Sequence, residues 1–440
     1  MFDSDMEINV GQDTFATERD GQKLDLLNRA AFGARLSEVM ERGDQPLVLA
    51  LDGAWGSGKS HFLKLWVGTH NQTEGHKARV IYFDAFAQDY LDDPLISLVA
   101  AISTARATEQ GKGEKALGLV KAWGLKLVRP AARAGLFAAS AGISELALPV
   151  LDTLADKFIE EASDEAKAAI DNLWKQEESR IAAVEGFRNA LTALAADQPL
   201  ILVIDELDRC RPDYALSLLE VVKHFFAVKG VRFVLGVNLE ALEHSVRQRY
   251  GVGVDAGLYL QKFIHLQVEL PQMQNVQAWE SYFAHLCGRL GDLKTIHDEA
   301  LNTLQLFATR QINLRDVERI VARLAILPDD FGTYYPAWRT ILITALAMET
   351  LAKQSYAKLR AGRLTLDEMG TMFLMDQAAE NGDYRANFMR HVWARALSGS
   401  TSEEALFVTK GAFGGFEDRK PNIEPFLRKM LDTFAPPPAR

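Results

Sequence analysis

One stretch of the sequence has the residue types and spacing needed to bind a phosphate chain: Gly53-Ala54-Trp55-Gly56-Ser57-Gly58-Lys59-Ser60. It fits the pattern G-x-x-x-x-G-K-[ST] (Walker A), whose glycines let successive backbone N–H groups point at one anion. We expect Lys59 to reach the β- and γ-phosphates and Ser60 to place its hydroxyl on Mg²⁺. The predicted nucleotide contacts are these eight residues together with His61. An apolar strand-like run before the loop and a helix-like run after it argue against the alternative, a Gly-rich turn without a ligand.

A pair of adjacent acids, Asp205 and Glu206, could supply the rest of a hydrolytic site. Five apolar residues precede them, which predicts a buried strand that delivers both carboxylates to one edge of a sheet (Walker B). We expect Asp205 to hold Mg²⁺ through its water shell and Glu206 to orient and deprotonate the attacking water. The alternative is a strand whose terminal acids only face solvent.

Asn238 and Arg315 complete the candidate catalytic set with Lys59 and Glu206. Asn238 ends a strand-like run, so its amide could hold the attacking water or sense the γ-phosphate, and it could equally cap the helix that follows. Arg315 begins a row with Arg319 and Arg323 at four-residue spacing. Such a row is more commonly an ion-paired surface, although Arg315 could reach the nucleotide.

The elements that must position these residues alternate between short apolar runs and helix-like segments, which predicts a mostly parallel sheet. An amphipathic helix is predicted from Asp20 to Glu41, beside the nucleotide domain. The predicted strands are Leu47 to Leu51, Arg79 to Phe86, Pro199 to Asp205, Val231 to Asn238 and Tyr259 to Val268.

Four regions follow from this pattern. Residues 1–104 hold the N-terminal helix and the first half of the core, 105–195 a helical insertion, 196–271 the second half of the core, and 272–440 an all-helical domain. Within the insertion, a basic stretch over 111–133 precedes an alanine-rich one over 134–151. We favour helices folded on the core there; a peripheral contact through 111–151 with an anionic membrane surface is the main alternative, and a true span is the least favoured.

Composition limits the class of protein. The net charge of −10 argues against an extensive electrostatic interface with nucleic acid. A local basic strip that binds nucleic acid remains an alternative. The two cysteines, Cys210 and Cys287, predict neither a disulfide framework nor a zinc site. With an acidic start that lacks the pattern of a signal peptide, we expect a cytoplasmic protein, or one peripheral at the inner face of the cell membrane.

Four motifs together resemble the KAP family of P-loop NTPases: the phosphate loop with its Trp55, the run Tyr82 to Phe86, the run Ile204 to Cys210, and the run Tyr259 to Ile264. The tryptophan in the loop and the Leu-Asp-Arg-Cys after the acids are specific marks. The resemblance covers about residues 20–330. It implies an α/β fold of the ASCE division, similar to AAA+ and STAND ATPases, with an extra strand between the phosphate-loop strand and the magnesium strand. In that family the insertion often carries membrane-spanning helices. The insertion in this chain shows no clear pair of such spans.

The resemblance implies an ATP hydrolase that uses Mg-ATP as a conformational or oligomerisation switch, with phage exclusion and membrane-linked signalling as family associations. It places Arg315 in the region of a second nucleotide sensor and suggests that Arg209 couples the acid strand to a neighbour. In a homo-oligomer a neighbour's arginine can complete the charge stabilisation, and Arg247 and Arg249 are candidates. The alternatives are an adaptor that recruits an effector protein with little hydrolysis, or a DNA-dependent ATPase, which the acidic balance disfavours.

Overall fold

The chain divides into two compact units, Met1–Leu270 and Pro271–Arg440. The structure, a computed structural model, describes residues 8–107, 117, 118, 120 and 179–431, apart from short gaps at 20, 44, 91–93, 226, 272–275, 289–293, 307–311, 374, 376–379, 401 and 415–419. The sequence placed the start of the helical domain at residue 272, one position after this division.

The first unit is built on a five-stranded parallel sheet, preceded by a short antiparallel hairpin of β1 (Glu18–Arg19) and β2 (Gln22–Lys23). The sheet strands are β3 (Leu47–Asp52), β4 (Arg79–Asp84), β5 (Leu200–Asp205), β6 (Val231–Val237) and β7 (Leu266–Glu269). Their order is β4-β5-β6-β3-β7. β6 therefore lies between the strand that feeds the phosphate loop and the strand that ends in the acid pair, which confirms the expected fold class.

Helices cover both faces of this sheet because alternate residues of each buried strand point to opposite sides. Leu49 and Leu51 pack in one cluster with Phe62 and Trp66, whereas Val48 lies in the other. The helices are α1 (Ala30–Glu41), α2 (Lys59–Gln72), α3 (Pro94–Ala107), α4 (Ser179–Asp197), α5 (Pro212–Val222), α6 (Leu239–Tyr250) and α7 (Ala256–Leu260).

Most of helix α4 lies in the region predicted as an insertion, and the helix belongs to the hydrophobic core. Phe187, Leu191 and Leu194 are buried in the cluster that also contains residues of β4 and β5. The ring centroids of Phe187 and Phe225 are 4.6 Å apart. Residues 121–178, with most of the stretch considered for membrane contact, lie outside the described residues. In the part of the chain that the structure does describe, no helix is long and apolar enough to cross a membrane.

Two predicted elements in the first unit have the wrong extent. The helix predicted from Asp20 begins only at Ala30, because the Asp25 carboxylate accepts the backbone N–H groups of Arg29 and Ala30, each at 2.9 Å. The last strand begins at Leu266 and not at Tyr259. The preceding residues form α7, whose first turn is capped by the Asp255 carboxylate, which accepts the Leu258 N–H at 3.0 Å.

The second unit contains only helices among its described residues. They are α8 (Val276–Gly288), α9 (Lys294–Gln305), α10 (Leu314–Ala325), α11 (Pro336–Leu351), α12 (Lys353–Arg360), α13 (Leu366–Phe373), α14 (Tyr384–Ser398), α15 (Glu403–Val408) and α16 (Ile423–Leu431). Helices α11 and α12 are separated by Ala352, whose φ of −143° and ψ of 58° are not helical.

Candidate nucleotide site

The phosphate loop leaves β3 at the edge of the sheet where the parallel strands end. The Gly53 N–H donates to the carbonyl of Val237 on β6 at 3.1 Å, which fixes the start of the loop. Gly56 and Gly58 have φ of +80° and +78°, a left-handed conformation that side chains with a Cβ rarely adopt. Helix α2 begins at Lys59, directly after the second of these glycines. The loop thus ends at a helix N-terminus, where free N–H groups favour an anion.

Lys59 is folded back over the start of the loop. Its ammonium donates to the Gly53 carbonyl at 2.9 Å, and the residue is buried. Burial lowers the pKa of Lys59, while the charges of Asp208, Asp205 and then Asp52 raise it. A phosphate chain in the loop would give this amine an anionic partner in place of the neutral carbonyl.

The acid strand brings Asp205 to the same edge in a fully buried position. Its Oδ2 accepts from the Tyr82 hydroxyl at 2.8 Å, and its Oδ1 accepts from the Glu206 N–H at 2.9 Å. Burial raises the pKa of Asp205 to about 6, against the lowering effect of hydrogen bonds from Tyr82 and Ser60. On the neighbouring strand, a Cβ at Gly236 would lie 2.4 Å from Oδ1, so only glycine leaves room for this carboxylate.

Glu206 follows in a left-handed conformation, with φ +60°, which is unusual for a residue that is not glycine. Its Oε1 accepts from the Ser60 hydroxyl at 3.0 Å and lies 3.1 Å from the Arg209 guanidinium. Backbone strain of this kind persists where the surrounding structure imposes it, and it is enriched at functional sites. The loop and the acid strand, predicted separately from sequence, therefore meet at Ser60 and Glu206.

Ser60 and Asp205 could hold Mg²⁺, since a hydroxyl and a carboxylate are hard oxygen donors and Mg²⁺ commonly takes one or two protein ligands beside phosphate and water. The chemistry of Asp205 fits this role. Its burial disfavours the ionised form, and a bound cation would favour it.

The sequence did not single out the contact between Trp55 and Asp208. The indole N–H of Trp55 donates to Asp208 Oδ2 at 2.6 Å. Asp208 is 7% exposed, and its other carboxylate oxygen has no hydrogen-bond partner among the described residues. Trp55 and Asp208 each belong to a sequence feature that is specific to the resemblance: the tryptophan in the phosphate loop and the Leu-Asp-Arg-Cys run after the two acids. The presence of both features in one sequence was the available signal for this contact.

Arg29 is a second contact that the sequence did not reveal. It is 6% exposed, and its Nη1 donates to the carbonyl oxygens of Ser57 at 2.9 Å and of Gly58 at 3.4 Å. A buried cation therefore contacts the backbone of the phosphate loop. His61, the last predicted nucleotide contact, follows the loop on α2, and burial lowers its pKa to about 4, with smaller effects from Arg29 and Lys64. His61 is therefore neutral near pH 7.

Asn238 caps helix α6 in this structure: its side-chain oxygen accepts the Ala241 N–H at 3.2 Å. The observed contact of Asn238 is therefore that of a helix cap. A role of its amide in holding water or sensing phosphate stays a prediction. Among the candidate arginines, Arg247 pairs with Glu243 at 2.6 Å, whereas Arg249 is exposed.

Arg315 lies in the second unit, exposed in the first turn of α10. The other two arginines of its row make ion pairs: Arg323 binds Glu349 through Nε at 3.1 Å and Nη2 at 2.5 Å, and Arg319 lies 3.8 Å from Asp316. The ion-paired surface is therefore observed for these two, and the nucleotide role of Arg315 stays a prediction.

Comparison with known proteins gives three findings. The sequence profile of the KAP family P-loop domain matches residues 29–329. The phage T7 exclusion protein of Escherichia coli K12 is 23% identical over 231 residues, which are 51% of this chain and 30% of that protein. The chain thus spans less than a third of that relative's length. The ORC2 protein of Aeropyrum pernix, solved in ADPNP and ADP complexes, is 14% identical, with 85% of this chain and 81% of that chain covered and a TM-score of 0.31.

The family match includes the phosphate loop, the acid strand and the intervening β6, and it extends over more than half of the chain. The chain belongs to the KAP family of P-loop NTPases.

Proposed function

We propose that this protein binds Mg-ATP and hydrolyses it, and that the gain and loss of the γ-phosphate switch its conformation or its assembly. The observation that carries the proposal is the direct contact between the two halves of the site, the 3.0 Å hydrogen bond from the Ser60 hydroxyl to Glu206. A residue that would hold the metal and a residue that would activate water therefore lie within one hydrogen bond of each other.

Each side chain has a distinct task in this proposal. Lys59 neutralises charge on the β- and γ-phosphates, and Ser60 and Asp205 hold the metal. Mg²⁺ held by these two residues would supply positive charge that offsets the charge developing on the phosphates. Glu206 orients a water molecule in line with the γ-phosphate and accepts its proton, so that the water oxygen forms the new bond to phosphorus while the bond to ADP breaks.

The contacts of Glu206 give the switch a physical basis. Its carboxylate accepts from the Ser60 hydroxyl and pairs with Arg209. A ligand that recruits the Ser60 hydroxyl would remove one of these contacts and leave the Glu206 carboxylate paired with Arg209. Release of that ligand would restore the first contact, so the Glu206 carboxylate would alternate between two sets of partners.

A role in excluding bacteriophage is part of the proposal, supported by the name of the E. coli relative. The matched region covers 30% of that protein, so the partner through which such a role would act is a proposal of its own. We propose an effector protein or a second copy of this chain as that partner. Plaque formation on cells with and without the protein would test the role, and a Lys59→Ala variant that protects equally would refute the dependence on nucleotide.

The test of the proposed activity uses Lys59→Ala and Glu206→Gln. Lys59→Ala should lower ATP affinity by at least about tenfold, because the phosphate chain loses its main side-chain cation. Glu206→Gln should retain ATP binding and lose most of its turnover, since an amide cannot accept the proton. The solution mass of Glu206→Gln with no nucleotide, with ADP and with ATP then shows whether the switch is an assembly. Near-normal turnover by this variant would remove Glu206 as the base.

A nucleotide-gated adaptor with little hydrolysis is the second candidate. It is favoured by the pairing of Glu206 with Arg209, since a carboxylate held in an ion pair is less available to accept a proton from water. Single-turnover measurements separate the two: an Arg209→Ala variant that hydrolyses faster than the wild type supports an adaptor in which this pair restrains turnover. Hydrolysis by Arg209→Ala at the wild-type rate or more slowly would favour the ATPase over the adaptor.

A further inference from the structure

The backbone of the phosphate loop is contacted on its carbonyl side by Arg29. The guanidinium Nη1 lies 2.9 Å from the Ser57 carbonyl oxygen and 3.4 Å from that of Gly58. A trans peptide unit holds its C=O and the next N–H on opposite sides. An arginine that binds the carbonyls of Ser57 and Gly58 therefore orients the N–H groups of Gly58 and Lys59 in the opposite direction.

We propose that Arg29 is a positioning residue for phosphate binding: it binds these two carbonyls and so aims the N–H groups of Gly58 and Lys59 at the bound anion. A cation at the carbonyl oxygen also polarises the same peptide unit, which makes its N–H a stronger donor. The inference rests on the proposed function, because it assigns a task in nucleotide binding to a residue outside the phosphate-loop motif.

The surroundings of Arg29 keep it charged and in place. Burial lowers the pKa of Arg29 to about 10, and the charge of Asp25 partly opposes this effect, so the guanidinium is protonated near pH 7. The Asp25 carboxylate also accepts the Arg29 backbone N–H at 2.9 Å. The positive charge thus adds to those of Lys59 and the helix terminus on the loop side of the sheet.

Arg232 provides a matched control within the same unit. It is also 6% exposed and also donates to backbone carbonyls, those of Arg42 at 2.7 Å, Gln45 at 3.2 Å, Met40 and Gly43. Arg232 is opposite Leu47 at the beginning of β3, whereas the phosphate loop follows the end of that strand. Its loss should therefore cost stability without affecting the nucleotide site.

The experiment compares Arg29→Met, Arg29→Lys and Arg232→Met with the wild type. Affinities for AMP, ADP and ATP are measured by titration calorimetry in EDTA, at a temperature where circular dichroism shows each protein folded. Arg29→Met should weaken ADP and ATP by about tenfold or more and AMP by less than about threefold, because the oriented N–H groups serve the phosphates beyond the first. Arg29→Lys, which keeps the charge and loses the planar fork, should lie between, and it replaces Arg29→Met if that variant does not fold.

Arg232→Met should bind all three nucleotides within about twofold of the wild type, even where its melting temperature falls. The inference is overturned if the wild type binds ADP and both Arg29 variants bind it equally well, or if Arg232→Met loses the same affinity. A wild type that binds no nucleotide would overturn the proposed function itself, and the assignment of Arg29 with it.

Discussion

Replacing Trp55 with phenylalanine removes the indole N–H and keeps an aromatic ring, so it tests the hydrogen bond to Asp208. That bond is 2.6 Å long and its acceptor is a buried carboxylate, although Trp55 is itself 50% exposed. Hydrogen bonds to charged groups contribute about 1.5–3 kcal/mol, and water that replaces the N–H would recover part of this. We expect Trp55→Phe to lower the free energy of unfolding by about 1–2 kcal/mol.

A double-mutant cycle with Asp208→Asn isolates the pair. Asparagine keeps the volume and one acceptor oxygen while it removes the buried charge, which also acts on Lys59 more strongly than any other charge. We therefore expect Trp55→Phe to cost less in the Asp208→Asn background, with an interaction energy of about 1 kcal/mol. Removing the Asp208 charge should lower the pKa of Lys59 further, since that charge raises it.

Urea unfolding followed by far-ultraviolet circular dichroism is the appropriate assay, because it does not depend on tryptophan emission. The change should appear in the unfolding of the Met1–Leu270 unit, and ADP affinity should be measured on the same four proteins. Additive effects of the two substitutions, within about 0.3 kcal/mol, would show that the contact between Trp55 and Asp208 contributes nothing to stability.

Three further results are expected. Glu206→Gln should change the free energy of unfolding by less than about 1 kcal/mol, because the amide oxygen can still accept from Ser60 and Arg209 is partly exposed to water; a larger fall in urea unfolding would show that the Arg209 pair is structural. The pKa of Asp205, raised by burial to about 6, means that its protonated form stabilises the metal-free fold below pH 4 and that this contribution is lost as pH rises through 6. Asp205→Asn should flatten the pH dependence of unfolding over that window, and an unchanged profile would contradict the shift. Gly236→Ala should cost about 1–3 kcal/mol and most Mg-dependent turnover, because its Cβ would lie 2.4 Å from Asp205, whereas Gly253→Ala, with open space around it, should behave as wild type.

The parts of the site that could be predicted from the sequence are those that depend on a run of consecutive residues. A phosphate loop needs glycines at fixed positions for its backbone, and the observed φ of Gly56 and Gly58 shows that need directly. A buried parallel strand needs an unbroken apolar run, so Asp205 at its end could be located without any knowledge of its neighbours. The expectation that one strand lies between the phosphate-loop strand and the acid strand came from the family resemblance and not from these patterns.

The contacts that escaped prediction join residues far apart in sequence. Trp55 and Asp208 are separated by 153 positions, and Arg29 and Ser57 by 28. No periodicity or spacing rule connects such pairs, because each depends on how whole elements lie in the sheet. The predicted start of the first helix is wrong for a local reason. The Asp25 carboxylate accepts the N–H groups four and five residues later, so the helix begins at Ala30 and not at Asp20.

The phosphate loop is held from two sides by side chains that lie outside its own motif. Arg29 binds its carbonyls, and Asp208 binds the indole of its third residue. A loop fixed in this way before the ligand arrives loses less conformational entropy on binding, so more of the interaction energy appears as affinity. The two supports differ in what they connect: Arg29 links the loop to the start of α1, and Asp208 links it to the turn that carries Glu206. Weakening the first should therefore affect mainly nucleotide affinity, and weakening the second should affect mainly the rate of hydrolysis.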